Sequence, residues 1–253
     1  MTEKPLILIS NDDGVHARGL HHLINIANRF GDVIAVAPDR PRSGQSAALT
    51  VNSPLEIIGH DPIGTAKVYS VTGTPVDCIK LALHAITPRR PDLVLSGINH
   101  GSNAAVNNIY SGTMGAAMEA CLAGIPAIGY SILNHSPQAD FEPLTEFIEA
   151  ITERVLEKGL PQDICLNVNF PKDCRPQGVK VLRAAAGHWT EEYADYTDPH
   201  GRPFYWLTGR FHNEEPDAAD TDEYWLARGF GSIVPIRPGQ TAIDMIERVK
   251  ELF

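Results

Sequence analysis

Two adjacent carboxylates, Asp12 and Asp13, end the run Leu6-Ile7-Leu8-Ile9-Ser10-Asn11 and are followed by Gly14. Neighbouring aspartates repel each other, so a fold keeps such a pair near water or near a cation. Hard divalent ions such as Mg²⁺ take oxygen ligands of this type. Asp and Gly are also common turn residues, and the pair alone fits a solvated turn equally well. Three other stretches carry matching oxygen donors. Ser43 stands in the polar loop Asp39-Arg40-Pro41-Arg42-Ser43-Gly44-Gln45-Ser46, Asn99 and Asn103 in Gly97-Ile98-Asn99-His100-Gly101-Ser102-Asn103, and Ser111-Gly112-Thr113 opens a helical pattern. Two carboxylates, a hydroxyl and a carboxamide form an all-oxygen set suited to Mg²⁺ or Mn²⁺. A glycine-bearing helix start with Ser and Thr offers N–H groups and hydroxyls to a phosphate.

Plainer readings stand beside each of these. Ser111 reads as an ordinary N-cap, Asn99 as an amide bracing its own turn, and Arg40 and Arg42 as solvated loop residues. His21 and His22 read as helix-face residues, since no HExxH-like spacing supports a histidine metal site. His100 lies close enough to the acidic pair to remain an acid–base candidate. Asp77, within Thr74-Pro75-Val76-Asp77, has a structural account: Thr74 caps a helix, Pro75 takes its first position and Asp77 favours the positive end of its dipole.

The elements that position these residues follow from hydrophobic periodicity. Leu6–Ile9, Val33–Ala37, Asp92–Ser96, Ile125–Ile132 and Ile164–Phe170 are apolar runs of strand length, as expected for strands buried on both faces. Between them, Leu20, Leu23, Ile24, Ala27 and Phe30 mark a helix over 15–30. Val76, Ile79, Leu83 and Ile86 mark another. Met114, Ala117, Met118 and Cys121 mark a third, and Leu144, Phe147, Ile148, Ile151 and Val155 a fourth over 141–156. Short β-like pieces near 49–51, 55–58 and 68–71 suggest a small antiparallel extension. Alternating strands and helices predict an α/β fold, a Rossmann-like, doubly wound, mostly parallel sheet. Beyond about residue 171 the regularity gives way to a β-hairpin elaboration, a strand at 232–236 and a terminal helix over 241–252. With no clean linker, 1–253 reads as a single domain, its core about 1–170. In open α/β sheets ligands bind beyond the carboxyl ends of the strands. All four donor-bearing stretches fall at that one edge.

Composition bounds the function. The chain has 253 residues, 43% hydrophobic and 7% aromatic, enough for one large domain. A formal charge of −10 argues against nucleic-acid polymers as partners, although a metal and a few local groups can still hold a nucleotide-sized anion. Met1-Thr2-Glu3-Lys4-Pro5 lacks the pattern of a signal peptide, and no apolar run is long enough for a membrane span. Cys78, Cys121, Cys165 and Cys174 form no CxxC pair, which fits a reducing compartment. The expectation is a cytoplasmic protein without membrane association.

Several motifs together resemble the SurE family of survival-protein 5′/3′-nucleotidases. They are Ile9-Ser10-Asn11-Asp12-Asp13-Gly14, Ala37-Pro38-Asp39-Arg40 with Ser43-Gly44, Ser96-Gly97-Ile98-Asn99, and Tyr110-Ser111-Gly112-Thr113 with Ala116-Ala117-Met118-Glu119. Thr197-Asp198-Pro199, Gly201-Arg202, Tyr205-Trp206 and Thr221-Asp222 with Gly229 extend the likeness over nearly the whole chain. The resemblance implies a metal-dependent phosphomonoesterase acting on nucleoside 5′- and 3′-monophosphates, with short polyphosphate as a further candidate substrate. It implies one divalent ion per subunit, Mg²⁺ or Mn²⁺, on Asp12, Asp13, Ser43 and Asn99. It places phosphate contacts on Asn103, Ser111, Gly112 and Thr113, with Gly44 beside them, and catalytic roles on Asp12, Asp13 and Asn103. A homodimer or homotetramer is implied too, its C-terminal part reaching between subunits. Met114 and Cys121 depart mildly from the family pattern.

Two other readings compete. A haloacid-dehalogenase-type phosphatase needs a second Asp two residues after its nucleophile, but here the pair is adjacent and position 14 is Gly. A receiver-like signalling module needs a phospho-accepting Asp at the end of its third parallel strand, where this chain has Ser96-Gly97-Ile98-Asn99.

Overall fold

The structure, a computed structural model, describes residues 4–253; the lead-in Met1-Thr2-Glu3 lies outside them. A nine-stranded sheet forms the centre. Its first strand, β1 (Leu6–Ser10), is buried along its whole length, as its uninterrupted apolar run requires. The chain then forms α1 (Arg18–Ala27), β2 (Asp32–Pro38), β3 (Ile57–Ile63), β4 (Ala66–Val71), α2 (Pro75–Leu81), β5 (Leu93–His100), α3 (Gly112–Leu122), β6 (Ala127–Ile132), α4 (Thr145–Lys158) and β7 (Cys165–Phe170). The second half supplies β8 (Val179–Val181), β9 (Gly187–Thr190), β10 (Tyr193–Thr197), β11 (Pro203–Leu207), β12 (Arg210–Asn213), α5 (Asp222–Leu226), β13 (Gly231–Ile236) and α6 (Ile246–Lys250).

Spatial order across the sheet is β3-β4-β2-β1-β5-β6-β7-β13-β8. Six strands, β4-β2-β1-β5-β6-β7, run parallel in the Rossmann order, and the order reverses between β1 and β5. Asp12 follows β1 and Asn99 lies in β5, so the candidate ligands flank this switch point. Beyond them β3 lies antiparallel on β4 at one edge, and on the other side β13 lies antiparallel on β7, with the edge strand β8 parallel to β13. One apolar layer packs α1 and α4 on the sheet through Leu20, Leu23, Ile24, Ile148 and Ile151. The opposite layer packs α2 and α3 through Cys78, Ile79, Met114, Ala117 and Cys121. Helices on both faces make the sheet doubly wound, as the sequence predicts.

Some boundaries differ from expectation. The segment 49–51 forms no strand, and Leu49 and Val51 are exposed. Rather than belonging only to an antiparallel extension, β4 is a parallel member of the central sheet, paired with β2 as well as with β3. Its buried-exposed alternation reads as half-buried, which conceals that role. Helix α4 begins at Thr145 because Glu142–Leu144, containing Pro143, forms a 3₁₀ turn first. Terminal residues expected as one helix divide into a 3₁₀ turn, Ile243–Met245, and the short α6, with Ile243, Ile246 and Val249 exposed. The hairpin expectation holds: β10 and β11 pair antiparallel with Tyr196 opposite Phe204, and β9 pairs with β12. Thr74 caps α2 in a capping box with Asp77. Burial pushes the Asp77 carboxyl upward, but hydrogen bonds from Thr50 and Thr74 outweigh it and hold the group below the usual carboxylate range.

Candidate active site

Asp12 is the centre of the site. It is 3% exposed, and its Oδ1 accepts a 2.5 Å hydrogen bond from the Thr113 hydroxyl in the first turn of α3. Gly112 has to be a glycine: a Cβ there would stand 2.8 Å from the Asp12 Cβ. The helix start is therefore seated directly on this carboxylate. Burial, then the neighbouring Asp13, push the Asp12 carboxyl up to about 6, while the Thr113 hydroxyl and nearby backbone groups pull the other way. Asp13 is also raised by burial, opposed by the His100 N–H, which donates to its Oδ2 at 3.3 Å. No lysine or arginine among the described residues offsets either shift.

Loops from three directions close on the pair. Asn11 braces its own turn, donating to the Gly14 carbonyl and accepting from the Gly14 N–H. The Arg42 N–H donates to the main-chain carbonyl of Asp12 at 2.7 Å, which ties the Ser43 loop to the chain at the end of β1. Ser43 and Gly44 lie exposed in that turn, and Gly44 takes a φ of 74°, a conformation suited to glycine. Ser46, at the loop's far end, bonds the carbonyls of Ile109 and Tyr110 just ahead of α3. Arg42 is no free solvated cation, because its guanidinium reaches Asp39 and the Thr72 carbonyl.

Asn99 reaches the site through a bulge. The β5–β6 register slips between Ser96 and Asn99, so that Ser96 pairs with Gly129 and Asn99 with Ser131. One extra residue on β5 thereby puts residues 96 and 99 on the same face. The Asn99 amide donates to the Gly101 carbonyl, as the turn-bracing reading expects, and leaves its oxygen available. Ser111 is the expected N-cap of α3, accepting from the Met114 N–H at 3.0 Å. His100 contributes its backbone, while its ring packs edge-on against Phe141. His21 bonds the Val15 carbonyl and His22 the Thr145 hydroxyl, both on the flank of α1.

Asn103 is 5% exposed and bonded on three sides. Its N–H donates to Asn169 Oδ1, its carbonyl accepts from Asn167, and its amide donates to the Ser131 hydroxyl. Sequence reading missed Ser131, Asn167 and Asn169. The available signal was two asparagines alternating with apolar residues inside β7. It also missed the role of Asp222, a wholly buried carboxylate whose Oδ2 accepts the Ala105 N–H, two residues beyond Asn103.

Geometry alone defines a Rossmann-type α/β protein with a cluster of oxygen-bearing side chains at its switch point. No group of three or more His, Cys, Asp or Glu residues gathers as a metal cage among the described residues. Asp92 cannot serve a receiver-like role: it lies at the opposite edge, accepting from the Leu6 N–H. The model of the survival protein SurE family matches residues 7–191. A 5′-nucleotidase SurE from Phocaeicola vulgatus is 49% identical over 98% of this chain and 96% of its own length. Another, from Porphyromonas gingivalis, is 40% identical over 98% and 96%. The crystal structure of the SurE protein from Aquifex aeolicus superposes with a TM-score of 0.85 at 35% identity, covering 98% of this chain and 99% of that one. The chain belongs to the SurE family.

Proposed function

We infer that the chain is a 5′-nucleotidase, a divalent-metal-dependent phosphomonoesterase that hydrolyses nucleoside 5′- and 3′-monophosphates, with short polyphosphate as a secondary substrate. The observation that carries this reading is the adjacent pair Asp12–Asp13, the first buried and the second half-buried, without a positive partner and set against the N-terminus of α3. The donor set fits a hard cation: both carboxyls are pushed upward by burial, and added positive charge relieves that. Asp12, Asp13, Ser43 and Asn99 would hold one Mg²⁺ or Mn²⁺ per subunit. Bound there, the ion supplies neutralisation of charge on a phosphate oxygen and polarisation of water.

The chain's own groups do the rest. N–H groups in the first turn of α3, at Gly112 and Thr113, face the anion with the positive end of the helix dipole. Ser111 and Gly44 border the phosphate, and the Asn103 amide reaches it from the β5 side. Thr113 fixes the Asp12 carboxylate orientation through their hydrogen bond. Such donors act most strongly when already oriented before charge develops at phosphorus.

The same reading treats 1–253 as one SurE-like domain with its core over 1–170 and an oligomerisation elaboration over 171–253. It places the protein in the cytoplasm as a homodimer or homotetramer, with no nucleic-acid polymer and no membrane as partner. Tyr193, Tyr196, Tyr205, Trp206 and Leu207 are exposed on the β10–β11 hairpin, a surface suited to a second subunit. No helix of the described residues is long and apolar enough to cross a membrane. Phosphate release from a panel of nucleoside 5′- and 3′-monophosphates, with Mg²⁺ or Mn²⁺ and a chelator control, tests the assignment. Release that the chelator abolishes is expected, and no release from any nucleotide would overturn it.

A further inference from the structure

We propose that Ser131, a wholly buried serine of β6, is a positioning residue for Asn103: it anchors one edge of that amide so that the other faces the substrate phosphate. The inference deepens the phosphomonoesterase reading above and rests on it. Asn99, Ser131 and Asn169 stand in register across β5, β6 and β7. They form a polar row on the face that α3 covers, where parallel strands otherwise bury apolar side chains. Asn103, three residues beyond the end of β5, is held on this row.

Its backbone is gripped twice. Asn169 Oδ1 accepts the Asn103 N–H at 2.9 Å, and Asn167 Nδ2 donates to the Asn103 carbonyl at 2.8 Å. A 2.8 Å bond from Asn169 Nδ2 to Asn167 Oδ1 closes the ring. The two side chains thus imitate a neighbouring strand, satisfying both main-chain groups of a loop residue. Only the side chain is then left to fix. Asn103 Nδ2 donates to Ser131 Oγ at 2.8 Å, the one hydrogen bond of the Ser131 hydroxyl among the described residues. A carboxamide offers two N–H donors and two oxygen lone pairs. With one N–H spent on Ser131, the second N–H stays free to donate to the anion. Removing Ser131 Oγ frees the amide to rotate while its backbone stays fixed.

A bland alternative is that Ser131 is a satisfied core serine that merely helps the sheet fold. A double-mutant cycle separates the two. With a nucleoside 5′-monophosphate and saturating Mn²⁺, Ser131→Ala is expected to lower kcat/KM roughly ten- to a hundredfold, the scale of a misplaced reacting group. In an Asn103→Ala background the same change is expected to lower it less than about twofold, because no amide is left to position. The Mn²⁺-induced rise in unfolding temperature should be unchanged in Ser131→Ala, since all four proposed metal ligands remain. Ser131→Cys, close in size with a weaker sulfur acceptor, runs the same cycle should the alanine variant misfold. Equal losses in both backgrounds would overturn the inference, as would parental kcat/KM in Ser131→Ala while Asn103→Ala is impaired; in either case the phosphomonoesterase reading stands. Parental activity in Asn103→Ala would instead remove the role assigned to Asn103, and the inference with it.

Discussion

Asp12→Asn should make the metal-free protein more stable. Asn is nearly the same size and keeps an oxygen for the Thr113 hydroxyl, but it never ionises. The Asp12 carboxyl is raised from 3.8 to about 6, so the folded state holds its proton more tightly than the unfolded chain does. Below the unfolded value both states are protonated and no penalty exists. As pH rises from about 4 to about 6 the penalty of ionising a buried carboxylate beside Asp13 develops, and above that it is complete. A shift of this size corresponds to about 3 kcal/mol, or roughly 6–12 °C in unfolding midpoint for a chain of this length. Thermal unfolding of both proteins in chelator from pH 4 to 8 measures it. Asp12→Asn should melt higher at pH 8, and the difference should shrink as pH falls toward 4. Saturating Mn²⁺ should reverse the ranking at pH 8 by stabilising only the parent, as expected where function is kept at the expense of stability. A variant no more stable than the parent in chelator at pH 8 would refute the reasoning.

Thr113→Val removes the hydroxyl that holds Asp12 in place and helps keep its carboxyl down, so kcat/KM should fall on the order of tenfold and the acid limb of the pH–rate profile should move to higher pH. Asp77→Ala breaks the capping box of α2, and denaturant unfolding should show a loss of about 1–2 kcal/mol. Because hydrogen bonds hold the Asp77 carboxyl low, its stabilising effect should be present at neutral pH and fade in acid as the group protonates. Replacing Tyr205 and Trp206 by Glu places charge on the exposed hairpin, and sedimentation should shift from dimer or tetramer toward monomer.

Much of the fold was legible because parallel strands buried on both faces read as uninterrupted apolar runs. Leu6–Ile9 and Val33–Ala37 name themselves as strands, and helix-spaced leucines such as Leu20 and Leu23 fix the layer between them. The proposed ligands were legible for a related reason: they sit where those runs stop, and strand ends share one edge of a parallel sheet. Legibility failed where a residue's role depends on a distant partner. Asn167 and Asn169 look like interruptions of an apolar strand until Asn103 is brought against them. Ser131 looks like a small spacer, and Asp222 like a helix-start acid, although it holds the Ala105 N–H from 117 residues away. Along α6, apolar spacing overstated the helix, because Ile246 and Val249 stay exposed rather than joining the core.

The most direct test of the metal-site assignment is phosphate release from one nucleoside 5′-monophosphate by the parent and by Asp12→Asn, both with saturating Mn²⁺. The parent should turn over repeatedly and stop in chelator. The variant, with its fold intact and a proposed ligand charge removed, should be slower by at least about a hundredfold. Full activity in Asp12→Asn would contradict the account.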